Sequence, residues 1–88
     1  MSSLKTIKRK NDMIKAFIEV SKKVGINNVT REKVGEVAMC CPSLINYHFG
    51  SMDNLIDMSA WQGVQDNDRV FMRQLWSIKH PAIEGVYP

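Results

Sequence analysis

Near the middle of the chain runs Cys41-Pro42-Ser43-Leu44-Ile45-Asn46-Tyr47-His48-Phe49-Gly50-Ser51. Wound as an α-helix at about 100° per residue, it divides into two faces. Leu44, Ile45, His48 and Phe49 fall on one side, and Ser43, Asn46, Tyr47 and Gly50 on the other. Pro42 sits at the first helical position, where proline is tolerated because its missing N–H would have had no intrahelical partner. Gly50 stops the helix, and Ser51 can cap the next one. A helix this short cannot stand alone in water, so its apolar side must be held by neighbours.

Those neighbours are legible on both sides. From about Lys8 to Val24 the apolar residues Met13, Ala16, Phe17, Val20 and Val24 recur at three- and four-residue spacing, with Ile14 and Ile18 flanking the stripe. This predicts an amphipathic helix ended by Gly25. Thr30 can cap a second helix over about Arg31 to Ala38, with Val34, Val37 and Ala38 facing inward and Glu32 in its first turn. Met39-Cys40-Cys41 leaves room only for a tight turn before Pro42. Two short helices joined by about three residues predict a helix-turn-helix.

Downstream, Ser51 and Asp53 start a fourth helix carrying Met52, Leu55, Ile56 and Ser59, then Trp61 and Val64. Gly63 and Asp66-Asn67-Asp68 weaken helix propensity, so the helix either breaks there or continues to Val70. A last apolar set, Val70, Phe71, Leu75, Trp76 and Ile78, resumes at helical spacing before Pro81. The fold class expected is all-α: a three-helix head, a fourth helix and a short C-terminal helix or helical extension. Residues 1–9 read as a basic flexible arm, 10–60 as the head with its fourth helix, 61–80 as a helical extension and 81–88 as a tail.

At 88 residues the chain forms one small domain, burying only about 60–65% of its unfolded surface. No run approaches the roughly 18 apolar residues of a membrane span, and the N-terminus lacks the apolar stretch of a secretory signal. The expectation is a cytoplasmic protein with no membrane partner. Cys40 and Cys41 are adjacent, so a bond between them would close almost no loop and strain the backbone. They read as reduced, half-buried side chains, and no histidine or further cysteine stands at zinc-ligand spacing.

Charge is unevenly spread. Residues 1–33 hold nine basic side chains against three acidic, a local net charge of +6, while residues 34–88 hold three against six, a net of −3. Such asymmetry suits a polyanion on one side of the molecule, although lysines on a first helix also read as a solvated face.

Val29-Thr30, Val34, Ala38 and above all the run from Pro42 to Ser51, with Leu55 four residues on, resemble the N-terminal DNA-binding domain of TetR-type transcriptional repressors over roughly residues 8–60. The resemblance implies that Thr30 caps the second helix and touches phosphate. It also places Pro42, Ser43, Leu44, Asn46, Tyr47 and His48 in or beside the major groove, with Ile45 and Phe49 in the core. Three local positions depart from the pattern: Met39 stands where the family favours glycine, Cys41 where it favours a serine cap, and Met52 where it favours a phosphate-contacting lysine. The family also continues for over a hundred residues into an inducer-binding domain, which this sequence does not include, so no small-molecule inducer is expected.

The function expected is a small sequence-specific DNA-binding regulator, a repressor from a phage or mobile element, acting as a homodimer on a palindromic operator. Lys5, Lys8, Arg9, Lys10 and Arg31 would neutralise phosphates. Asn46 is of a type that reads adenine, and the Tyr47 ring can pack on a sugar or a thymine methyl. His48 lies at the border of the apolar face, suited equally to a buried hydrogen bond or a phosphate contact. Trp61, Phe71, Leu75 and Trp76 either fold back on the first and fourth helices or form a surface for a second copy or a host protein. The second reading keeps the fold but makes the chain a modulator that binds a host transcription or defence factor. No catalytic constellation, metal set or cofactor motif is present in the sequence, so no enzymatic role is expected.

Overall fold

The stripe that begins at Met13 becomes the spine of the molecule. In the computed structural model, which describes residues 3–84, helix α1 (Ser3–Val24) packs against α2 (Arg31–Ala38), α4 (Met52–Gln65) and α5 (Arg69–Ser77), and α3 (Pro42–Phe49) lies between α2 and α4. Short 3-10 turns at Ile26–Asn28 and Pro81–Ile83 complete the described chain, and no strand occurs among the described residues. The fold is all-α. No helix among the described residues is long and apolar enough to cross a membrane.

The core gathers from every helix. Met13, Phe17, Val34, Ile45, Leu55, Phe71 and Leu75 are fully buried, and the rings of Phe17 and Phe71 meet edge to face at 6.3 Å. Each such side chain stabilises the fold by about 1.5–3 kcal/mol relative to exposure. Polar ties hold α5 onto α1: Gln74 Nε2 donates to the Ser21 carbonyl at 2.6 Å, and Lys22 pairs with Asp68.

The helix ends are set by local chemistry. Thr30 Oγ1, Ser51 Oγ and Asp68 Oδ1 each accept a backbone N–H from the first turn of their helix at 3.2 Å. Gly25 and Gly50 end α1 and α3 with positive φ, 92° and 81°. Each of the other three helices is followed, within two residues of its last residue, by a non-glycine residue in the left-handed region, Met39, Asn67 and Lys79. In each case the following N–H reaches back five residues, to the carbonyls of Gly35, Gly63 and Leu75, the pattern of a Schellman motif.

Several expectations need correction. The basic segment 3–9 is no flexible arm, because α1 starts at Ser3. Nothing between Ser3 and Lys10 breaks a helix, and Lys and Arg are good helix formers. Residues 1 and 2 lie outside the described residues. Val24 and Val37, expected to face inward, are exposed. Phe71 and Leu75 cannot anchor a partner, since both are fully buried within the chain, whereas Trp61 and Trp76 remain about half exposed, at 55% and 52%.

Of the two alternatives for residues 63–68, the helix breaks, at Asp66-Asn67-Asp68 and not at Gly63 itself. Helix α4 passes through Gly63 and ends at Gln65, and α5 begins at Arg69. The segment after Pro81 is not simply a tail. Ala82 and Ile83 are buried, and their turn packs on α4 and α5. Residues 85–88 lie outside the described residues.

His80, to which no role was given from sequence, fixes that turn. Its Nδ1 accepts the Ala82 N–H at 3.0 Å, and its Nε2 lies 2.7 Å from Asp57 Oδ1. A backbone N–H can only donate, so Nδ1 carries no proton. Nε2 therefore holds the proton and donates it to the carboxylate.

Gly63 decides how closely α4 and α5 approach. A Cβ there would stand 2.3 Å from Phe71 Cδ2, and that ring is already locked against Phe17. Two effects oppose each other in Gly63→Ala: a helix-propensity gain of about 1 kcal/mol and an overpacking cost of about 1–3 kcal/mol. Since the ring cannot move outward, overpacking wins. Urea denaturation is expected to show Gly63→Ala less stable than the parent by up to about 2 kcal/mol; a stabilised variant would mean that the contact can relax.

Candidate functional site

The α2–α3 unit is assembled from the Thr30 cap upward. Thr30 accepts from Lys33 N–H, Glu32 sits in the first turn, and Val34 is buried against the core. Gly35 is the residue whose importance the sequence hid. It is buried, and a Cβ there would stand 2.7 Å from the Cys40 carbonyl oxygen, so the turn folds back on α2 only because that side chain is absent. Only the turn's shortness, Met39 to Cys41, could have signalled this.

Met39 carries the turn, with φ 58° and ψ 48°, the conformation for which glycine is the usual choice. Its side chain is 89% exposed. Cys41 then occupies the N-cap of α3 in an extended conformation and makes no side-chain cap bond, as its weak acceptor sulfur leads one to expect. Pro42 follows at the first helical position.

The two faces of α3 separate as the helical wheel predicts. Ile45 and Phe49 are buried, Leu44 and His48 are half-buried, and Pro42, Ser43, Asn46 and Tyr47 are exposed. Tyr47 stands out at 81% exposure, its ring edge to face with that of His48 at 5.1 Å. The far end of α3 is tied to α4, where Asn54 Nδ2 donates to the Phe49 carbonyl at 2.8 Å. Anchored at both ends and along one face, α3 offers Ser43, Asn46 and Tyr47 outward as a single ridge at i, i+3 and i+4.

The basic residues lie mainly on α1 and at the start of α2. The Arg9 guanidinium on α1 acts electrostatically on the Cys40 thiol in the α2–α3 turn. Lys5, Lys8 and Arg31 are exposed and Lys10 is half-buried. No acidic residue stands in the first turn of α1, leaving Lys5 beside the helix's own positive end. By contrast, Lys33 Nζ is engaged locally, donating to the Asn28 carbonyl at 3.2 Å.

Trp61 and Trp76 belong to α4 and α5, not to this ridge. On α4, Met58 and Trp61 are both exposed one turn apart. Both cysteines are free. Burial pushes the Cys40 thiol above its ordinary range, with Arg9 pulling the other way and Cys41 adding to the rise. Cys40 therefore stays protonated and weakly nucleophilic near neutral pH. Among the described residues no three His, Cys, Asp or Glu side chains come together as a metal site.

The turn chemistry invites repair. Cys41→Ser supplies a capping oxygen at an N-cap that lacks one, which is worth about 0.5–1 kcal/mol. Met39→Gly relieves a left-handed non-glycine residue at a comparable scale of about 1 kcal/mol. Each substitution is expected to raise the thermal midpoint by a few degrees, about 4–8 °C per kcal/mol for a domain of this size. A lowered midpoint in both would contradict the turn geometry described above. No protein-family model, curated protein or solved structure matches the chain.

Proposed function

We propose that the chain is a sequence-specific DNA-binding transcriptional regulator of the TetR type, acting as a repressor. In this reading α3 lies in the major groove and α2 braces across the backbone. The observation that carries it is the outward ridge of Ser43, Asn46 and Tyr47 on a helix whose other face is locked into the core. Hydroxyl and amide groups on a rigidly mounted helix suit base edges and phosphates, and Pro42, Leu44 and His48 flank them.

Electrostatics supports the same direction. Lys5 stands in the first turn of α1, where there is no acid, and Lys8, Arg9 and Lys10 follow in the second, a concentration of positive charge that an approaching polyanion relieves. Arg31 and the Thr30 cap, at the start of α2, are the further phosphate contacts of this reading.

Regulators of this architecture bind as pairs on palindromic sites, with half-sites about one helical turn apart or somewhat more. The outer face of α4, where Met58 and Trp61 are exposed, together with the half-exposed Trp76, is the surface assigned to a second copy. The same exposed Trp61 favours a second reading, in which this face engages a host transcription or defence factor.

Fluorescence anisotropy on duplex DNA flanking the gene tests the first reading. Binding on the order of nanomolar is expected, with a log–log salt slope of about −4.5 per chain for five neutralised phosphates. The Asn46→Ala/Tyr47→Ala variant should lose it while keeping its helical circular dichroism. Weak, sequence-blind binding in both proteins would overturn the reading. Light scattering is expected to find a dimer; a monomer at high micromolar concentration would remove the paired-half-site arrangement.

A further inference from the structure

We infer that the DNA half-site read by α3 has an A·T core, because the outward face of this helix carries an adenine reader and a thymine-packing ring and none of the side chains that pair well with guanine or cytosine. The inference rests on the proposal that α3 enters the major groove.

In that groove each base pair presents its own pattern of donors and acceptors. Guanine is read chiefly by the two donors of Arg or Lys, cytosine by Asp or Glu, and adenine by the paired donor and acceptor of Asn or Gln, while the thymine methyl is recognised by apolar contact. Helix α3, from Pro42 to Phe49, contains no Arg, Lys, Asp, Glu or Gln. What it exposes is Pro42, which has no donor, Ser43, whose hydroxyl serves any base, Asn46 and Tyr47.

The hydroxyls of Ser43 and Tyr47 can each offer guanine a single hydrogen bond, but not the paired donors of Arg. His48 is the further group able to donate to guanine. It is half-buried on the inner edge of α3, and its ring packs edge to face against Tyr47. It therefore supports the Tyr47 ring and is less exposed than the Ser43, Asn46 and Tyr47 ridge. The nearby cations cannot fill the gap either. Arg9 and Arg31 belong to α1 and α2, the elements that in this docking meet phosphates.

Asn46 and Tyr47 share a ridge with Ser43 one turn earlier, so the three fall on neighbouring base pairs. Asn46 Nδ2 and Oδ1 match adenine N7 and the N6 amino group. The 81% exposed Tyr47 ring is wide enough to cover an adjacent thymine methyl. One good bidentate pair discriminates by roughly 5- to 150-fold against a wrong base.

The test selects bound duplexes from a random pool with the full chain, then measures anisotropy on the winning site and on a copy whose core is changed to G·C. An A·T core in the winners, with binding weakened roughly 5- to 150-fold by the change, supports the inference. Asn46→Arg, at an exposed position, should move the preferred base at one place to guanine; an unchanged preference overturns the role given to Asn46. A G·C core, or salt-sensitive binding without preference, overturns the A·T inference and leaves DNA binding standing. Failure to bind any duplex overturns the DNA reading itself.

Discussion

Burial of the α1 stripe is the constraint on which the rest of the molecule depends. Phe17, fully buried, meets Phe71 of α5, and the same helix packs on α2 and α4. The two eight-residue helices, α2 and α3, are too short to persist on propensity alone. They exist because Val34, Ile45 and Phe49 each find a place in a core organised by α1. At about 1.5–3 kcal/mol per large buried side chain, losing two or three such contacts would consume much of the stability of a domain this small.

Around that apolar framework, specific polar contacts decide where the backbone goes. The Thr30 cap starts α2, the Gly35–Cys40 approach turns the chain, and Asn54 ties the end of α3 to α4. The far side is closed by His80 and Asp57, which pin the last turn beneath α4 and α5. The result is a helix exposed along one face and immobilised along the other, the arrangement a recognition surface requires because little order remains to be gained on binding.

How much of this was legible depended on the range of the interaction. The two faces of α3 were readable because Ile45 and Phe49 repeat at helical spacing, and the caps at Thr30 and Ser51 because their side chains announce the role. Gly63 misled for the opposite reason: helix propensity is local, whereas its function is to admit the Phe71 ring from another helix. His80 was silent because its partner Asp57 lies 23 residues away. Phe71 and Leu75 were ambiguous since periodicity shows that a face is apolar, not whether the chain itself or a partner covers it. The basic start of α1 looked like an arm because its charges outweighed the helical spacing of Ile7 with Ile14.

The most direct measurement is amide chemical-shift mapping of the ¹⁵N-labelled chain titrated with duplex DNA. The account predicts that the largest changes fall on Ser43 to Tyr47, on Thr30 and Arg31, and on the basic first turns of α1, with α5 little affected. Changes centred on Trp61 and Trp76, with Ser43 to Tyr47 unmoved, would contradict it.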